Sequence, residues 1–360
     1  MRRSARTRSP YPAWLAAIIA LLLVALAVLA WGLWPRDDSS TPDPGATVTL
    51  SAAVPTSSTS STGSTSTTST APPQTTTTTQ PAPVPPLDFD ANLAMSHIQV
   101  LAGSIGPRKS GSDAEDAAFA YASDYLSSLD YGVAMTEVPL PDGDVSHNLM
   151  VTKTGTSNAV MVVGAHVDSH ASAPGGNDNA SGVAVVLELA RDLRHADTVP
   201  TIVFVIFGAE EMTDSNADHH HYGSRQFVQT LTEQDRSALV GMISVDMVGY
   251  GSQFKVRTMG KGSRLLSDMV RTYSSDHVLA TRYLRDTGAY GWSDHEPFEL
   301  AGFPAVWVEW REDPKYHTSG DTYEHCDVSD VLQAGQALVG FLGTLTQADL
   351  DALAAARELD

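Results

Sequence analysis

Cysteine is almost absent. Cys326 stands alone among 360 residues, so no disulfide can close within the chain. An extracellular position is compatible with that count but draws no support from it. Positive charge is also scarce, with 22 Lys and Arg against 42 Asp and Glu, a formal net charge of -20. A surface this acidic excludes nucleic acid and anionic membrane as general partners of the folded part. No internal repeat is visible, which sets aside solenoids and propellers.

Charge of either sign disappears in two places near the start. Residues 13–34 (AWLAAIIALLLVALAVLAWGLW) carry none, and Arg2, Arg3, Arg6 and Arg8 precede them. That length spans a bilayer core as one helix, with Tyr11 and Trp14 near one end and Trp31 and Trp34 near the other. The arginines leave the N-terminus cytoplasmic and the remainder outside. A cleaved signal peptide is the alternative, but its apolar region is usually shorter, about 7 to 15 residues. Residues 35–86 are dominated by Ser, Thr and Pro and hold no charge after Asp43, so they read as a disordered stalk, glycosylated or bare. The expected layout is therefore a cytoplasmic basic tail (1–12), a transmembrane signal anchor (13–34), the stalk (35–86) and a folded domain (87–360). Whether the stalk is cut to release that domain stays open. The domain carries 17 Lys and Arg against 39 Asp and Glu, near -22.

Within the domain, Ala114 to Leu129 has apolar residues at helical spacing and Gly132 beyond it as a stop. The runs Ala159–Gly164, Ile202–Phe207, Met242–Val245 and Ala305–Val308 read as buried strands, and Ser181–Arg194 as a helix between the first two. Strand, helix, strand predicts an α/β fold with a mostly parallel sheet covered on both faces. Ligands of such sheets bind beyond the carboxyl ends of the strands. His166, Glu210, Glu211 and Asp246 each come directly after a predicted strand, and Asp178 comes just before a helix.

Five residues have the types and order needed to hold a pair of zinc ions: His166, Asp178, Glu211, Asp246 and His317. In GAHVDSH, His166 offers an imidazole nitrogen to a metal, and Asp168 is placed to take the other ring N–H. In PGGNDNASG the glycines allow a sharp turn that aims Asp178 inward, where two carboxylate oxygens suit bridging. The Asn-Ala-Ser at 179–181 is a nominal glycosylation sequon, at odds with a metal-lining loop. In FGAEE, two acids end an apolar strand, an arrangement that is costly without a cation or proton nearby. One of the pair suits a metal and the other a general base. Asp246 in SVDMVG and His317 in KYHTSGDT complete the set, and SDHEPF offers supporting hydrogen bonds through Ser293 or Asp294 rather than ligation by His295. Singly, each motif also reads as a surface pair, an Asn/Asp/Gly turn or a solvated glutamate pair.

Together and in this order, GAHVDS, NDNASG, FGAEE, SVDMVG, SDHEPF and YHTSGDT resemble the zinc-dependent aminopeptidases of the bacterial aminopeptidase S and yeast aminopeptidase Y type. Glutamate carboxypeptidase II and the glutaminyl cyclases share their fold. The resemblance runs from about Leu87 to Leu345 and includes IGPRKSGSDAEDAA. It implies a three-layer α/β/α zinc exopeptidase fold and two Zn ions, one held by His166 and Asp246, the other by Glu211 and His317, with Asp178 between them. It also implies Glu210 as general base, Asp168 orienting His166, a cis Asp178–Asn179 bond, and Tyr316 as oxyanion donor. Manganese or cobalt would suit the same ligands. Expected substrates are peptides with a free N-terminus. Glutaminyl cyclisation, release of an acidic C-terminal residue, and a silent binding module on a stalk are the competing readings. One departure is plain: MTDSNADHHHY separates the Glu pair from Gly223-Ser224, where family members pass within a few residues. His219, His220 and His221 are expected on an exposed polar loop, with a third metal site as the alternative.

Overall fold

The computed structural model describes residues 89–358 apart from 215 and 217, so the expected tail, anchor and stalk lie outside the described residues. Among the described residues, no helix is long and apolar enough to cross a membrane. One mixed sheet organises them. Its strands are β1 (Ala134–Pro139), β2 (Val145–Lys153), β3 (Val160–His166), β4 (Thr201–Phe207), β5 (Leu239–Val245), β6 (Gln253–Thr258), β7 (Arg282–Arg285) and β8 (Ala305–Arg311), in the spatial order β1-β2-β4-β3-β5-β8-β6-β7.

The four apolar runs of the sequence form the centre, β4-β3-β5-β8, and all four run parallel. β1 and β2 add an antiparallel flank, and β6 pairs antiparallel to β8 with β7 parallel beyond it. Successive side chains of a strand point to opposite faces. On β3, Met161, Val163 and Ala165 enter one core while Val160 and Val162 enter the other. Likewise on β4, Ile202, Phe204 and Ile206 face one way and Val203, Val205 and Phe207 the other.

Each face needs a cover, and helices supply it. The helices are α1 (Ala91–Ile98, widening into a π-helical stretch Gln99–Ile105), α2 (Asp113–Ser128), α3 (Ser181–Leu193), α4 (Tyr222–Thr230), α5 (Glu233–Ala238), α6 (Leu265–His277), α7 (His295–Leu300), α8 (Val328–Thr344) and α9 (Gln347–Ala355). Ile98 of α1, Phe119 of α2, Leu187 of α3, Leu266 of α6, Leu338 of α8 and Leu350 of α9 join the larger core. Phe227 of α4 and Phe298 of α7 close the smaller one. The result is three layers, α/β/α, as expected. Parallel central strands place four carboxyl ends side by side along one edge.

Candidate metal centre and active site

His166 is the last residue of β3, Asp246 follows the last residue of β5, and the Glu pair follows β4 by three and four residues. His317 arrives six residues after β8, with its backbone in the left-handed region at φ 56°. Asp178 comes from the loop ahead of α3. That loop is buckled by Arg108, whose fully buried guanidinium donates to the carbonyls of Leu101, Gly106, Val167, Pro174 and Gly175. Gly176 packs so closely on the Thr322 carbonyl that a Cβ there would lie 2.3 Å from its oxygen. Asp321 caps the turn, accepting from the N–H of Asn177 at 2.7 Å and of Asp178 at 3.1 Å. The Asp178–Asn179 peptide is cis. Asn179 is fully buried, donating to the Val245 carbonyl and accepting from Gly182 N–H, so its amide is not available to a sugar.

The turn carrying the Glu pair is held as tightly. Ala209 has φ 52° and its N–H donates to Glu115, a buried carboxylate that also accepts from Gly111 N–H and the Ser146 hydroxyl. Asp168 takes the next two amides, Glu210 N–H and Glu211 N–H, each at 3.0 Å, and the Ser110 hydroxyl at 2.9 Å. His166 Nδ1 lies 3.2 Å from the Asp168 carbonyl oxygen and 3.5 Å from its carboxylate. Asp168 therefore sits against His166, but the ring is nearer its backbone carbonyl than the carboxylate expected to take the N–H, and that carboxylate sets the backbone of both glutamates.

These supports bring all five candidate ligands together. Asp178 turns one oxygen to His166 Nε2 at 3.4 Å and the other to His317 Nε2 at 3.2 Å. Asp246 lies 3.5 Å from His166 Nε2, and Glu211 lies 3.1 Å from His317 Nε2. Two groups of three donors result, His166–Asp178–Asp246 and Asp178–Glu211–His317, sharing Asp178. Donors around a tetrahedral zinc at about 2.0 to 2.2 Å are separated by distances of this size. His166 Nε2, Glu211 Oε1 and Asp246 Oδ1 are buried without a hydrogen-bond partner among the described residues, which is what a cation between them would relieve. The residues present fit a pair of metal ions.

Electrostatics say the same. Burial, and then the facing Asp178, push the Glu211 carboxyl up to about 8. Burial opposes charge on His317, yet its bonds to Asp178 and Glu211 raise it to about 10. Burial likewise opposes charge on His166, and Glu210 with Asp246 outweighs it. Glu211 and Asp246 are thus pushed toward the protonated form and both imidazoles toward the charged one, while the two rings hold Asp178 ionised, the behaviour of a site short of positive charge.

Glu210 stands beside this cluster, its Oε2 3.9 Å from His166 Nε2. A cavity of about 420 Å³ opens in front of it, lined by Asp178, Asp246 and His317, by Met247, Trp292, Trp307, Trp310 and Tyr316, and by the charged Arg257, Glu309, Arg311, Glu312 and Asp313. Tyr316 is half exposed and its ring stacks on His317 at 3.8 Å. Ser293 bonds Ser244 at 2.8 Å, and Asp294 is fully buried, with Glu210 among the charges acting on it. His295 turns away to Asp286 at 3.0 Å, in keeping with a role other than ligation. The exposed-loop expectation fails for His220 and His221. Both are buried, drawn inward by Glu296 and Glu210, while Asp218 stays at the surface. Nothing local in the sequence marks Arg108, Glu115 or Asp321 for these roles, although the first two fall inside IGPRKSGSDAEDAA and the third inside YHTSGDT.

Peptidase family M28 matches residues 148–342, more than half of the chain. Among curated proteins, aminopeptidase YwaD of Bacillus subtilis is 32% identical over 186 residues, covering 49% of this chain and 39% of that protein. A probable lipoprotein aminopeptidase, LpqL, of Mycobacterium tuberculosis is 30% identical over 209 residues, covering 49% and 40%. The matches thus span less than half the length of these two relatives. Among solved structures, the zinc aminopeptidase BSAP from Bacillus subtilis aligns with a TM-score of 0.63 at 20% identity, over 71% of this chain and 95% of that one. A Bacteroides thetaiotaomicron glutaminyl cyclase aligns with 0.62 at 18%, over 72% and 99%. At these identities the structural likeness concerns the fold alone.

Proposed function

The chain belongs to peptidase family M28, and from that premise we propose that it is a zinc-dependent aminopeptidase that removes the N-terminal residue of peptides. The observation that carries the reading is Asp178, whose two carboxylate oxygens face two different imidazoles at 3.4 and 3.2 Å. His166 and Asp246 would hold one zinc, Glu211 and His317 the other, and Asp178 both. When bound, such a pair acidifies a water and polarises a carbonyl. Glu210 takes the proton of the attacking water and returns it to the leaving amine, the work of a positioned general base and acid. Asp168 keeps Glu210 and Glu211 in register through their amides. Tyr316, on the rim of the cavity, donates toward the oxygen that gains charge.

The uncharged run of residues 13–34 after four arginines supports a catalytic domain held outside the cell by an N-terminal helix and a stalk. The reading is tested by incubating the full-length protein with an unblocked peptide, its N-acetylated form and a peptide beginning with Gln. Release of an amino acid from the first alone supports it. Pyroglutamate without release would make the protein a glutaminyl cyclase, and no product at all would leave a binding module.

A further inference from the structure

Beyond the metal cluster, a second buried group of ionisable side chains borders Glu210 from the inserted loop and α7. His221, 2% exposed, places Nε2 2.9 Å from Glu210 Oε1 and Nδ1 3.0 Å from Glu296 Oε2. Both ring nitrogens therefore lie at ion-pair distance from carboxylate oxygens, although Nδ1 and Glu296 Oε2 are not aligned as a hydrogen bond. A ring flanked this way avoids turning a lone pair against one of the carboxylates only when both nitrogens carry hydrogen, that is, as the imidazolium. The backbone repeats the contact. His221 adopts φ 55° and its N–H donates to the Glu210 carbonyl at 2.9 Å, and Tyr222 and Gly223 continue the pairing to Ala209 and Gly208. Glu210 is thus gripped at its N–H by Asp168, and at its carbonyl and one carboxylate oxygen by His221. The other oxygen, Oε2, is the one turned toward His166.

We propose, building on the aminopeptidase reading, that His221 is a positioning residue for Glu210: its imidazolium, braced by Glu296, ties down one oxygen of the general base so that the other faces the reacting water. Burial opposes this charge, yet Glu210 and Glu296 hold the ring up to about 9, in line with the geometry. The same three residues, His220, His221 and Glu296, have donor atoms close enough for a metal ion. Arg225 argues against one. Its Nη2 lies 3.0 Å from His220 Nε2 and 3.4 Å from Glu296 Oε1, so a fixed cation already occupies that side. His220 accepts from Arg225 and is neutral, pushed down to about 4 by burial and by His221.

The test compares His221→Phe, His221→Gln and Glu296→Gln in the full-length protein, reading kcat and KM separately together with zinc content. Loss of a side chain that holds a functional group from behind costs about 10- to 100-fold in kcat, with KM and zinc unchanged, and Gln, which restores a donor, recovers most of it. A folded His221→Phe whose kcat stays within about threefold of the parent would overturn the proposal. So would the loss of a third metal equivalent in that variant. Should His221→Phe not fold, Glu296→Gln carries the test: a fall in kcat at constant KM supports the brace, and an unchanged kcat removes it. Independently of activity, nitrogen-15 spectra of the imidazoles at neutral pH must show His221 protonated on both nitrogens and shifted in Glu210→Gln. A singly protonated ring, insensitive to Glu210, would overturn the contact. If the parent protein releases no amino acid the aminopeptidase reading falls, and these spectra still judge the His221 contact on its own.

Discussion

The two sides of the cavity are built differently. On the floor, Asp178, Glu210, Glu211 and Asp246 are buried, and the backbone of the Asp178 and Glu-pair turns is bonded to buried carboxylates, Asp321 and Asp168. On the wall, Trp292 is 52% exposed and Tyr316 48%, and the candidate ligand stacked on Tyr316, His317, has 31% of its side chain exposed where His166 has 1%. On the proposed function, the difference would separate chemistry from recognition. Charged donors held at fixed spacing cost nothing to reorganise when charge develops, whereas an open aromatic wall can accept different side chains without disturbing them.

The largest effect is expected on the floor. Glu210→Gln should lower turnover by about 10²- to 10⁴-fold while zinc stays bound, measured by amino-acid release and metal analysis. Asp168→Asn comes next, because Glu210 and Glu211 donate to different oxygens of Asp168 and an amide replaces one of these acceptors with a donor. Its expected cost is about 10- to 100-fold in activity or zinc affinity. The two imidazoles sharpen the contrast. His317→Ala should lose one zinc with a melting temperature close to the parent's, whereas His166→Ala should lose zinc and melt earlier, since its ring is buried among Asp168, Asp178 and Asp246. On the wall, Trp292→Ala should raise KM by no more than about tenfold for peptides with large N-terminal side chains and leave kcat alone. A drop in kcat there would break the division.

The smallest effect concerns a buried acid on the wall. Glu309 is fully buried on β8, bonded to Arg257 at 3.0 Å, and burial pushes its carboxyl from 4.5 up to about 7. A carboxyl raised on folding binds more protons in the native state, so its contribution favours folding below pH 4.5 and is lost as pH rises toward 7. Thermal melts of the zinc-loaded protein between pH 4.5 and 7 should show less stability loss in Glu309→Gln than in the parent.

The central strands were legible because a strand buried on both faces is an unbroken apolar run, as IVFVIF is. β1 and β6 were not, because half-exposed strands alternate polar and apolar residues and carry a weaker signal. Legible too was the set of five candidate ligands, since His166, Glu211 and Asp246 stand where an apolar run stops and Asp178 follows a glycine pair, while His317 stood out only through its motif. Asp321 and Arg108 escaped notice because their role lies in backbone groups far along the chain, and nothing local marks such a partner. His221 was misread for the same reason: three adjacent histidines look solvated until Glu296, 75 positions away, is brought beside them.

The central claim is a two-metal aminopeptidase, and the most direct test is zinc content per chain measured alongside amino-acid release from matched unblocked and N-acetylated peptides, with and without chelator. The account predicts two zinc ions per chain and chelator-sensitive release from the unblocked peptide alone. Zinc-free protein that still releases amino acid, or equal cleavage of the acetylated peptide, would contradict it.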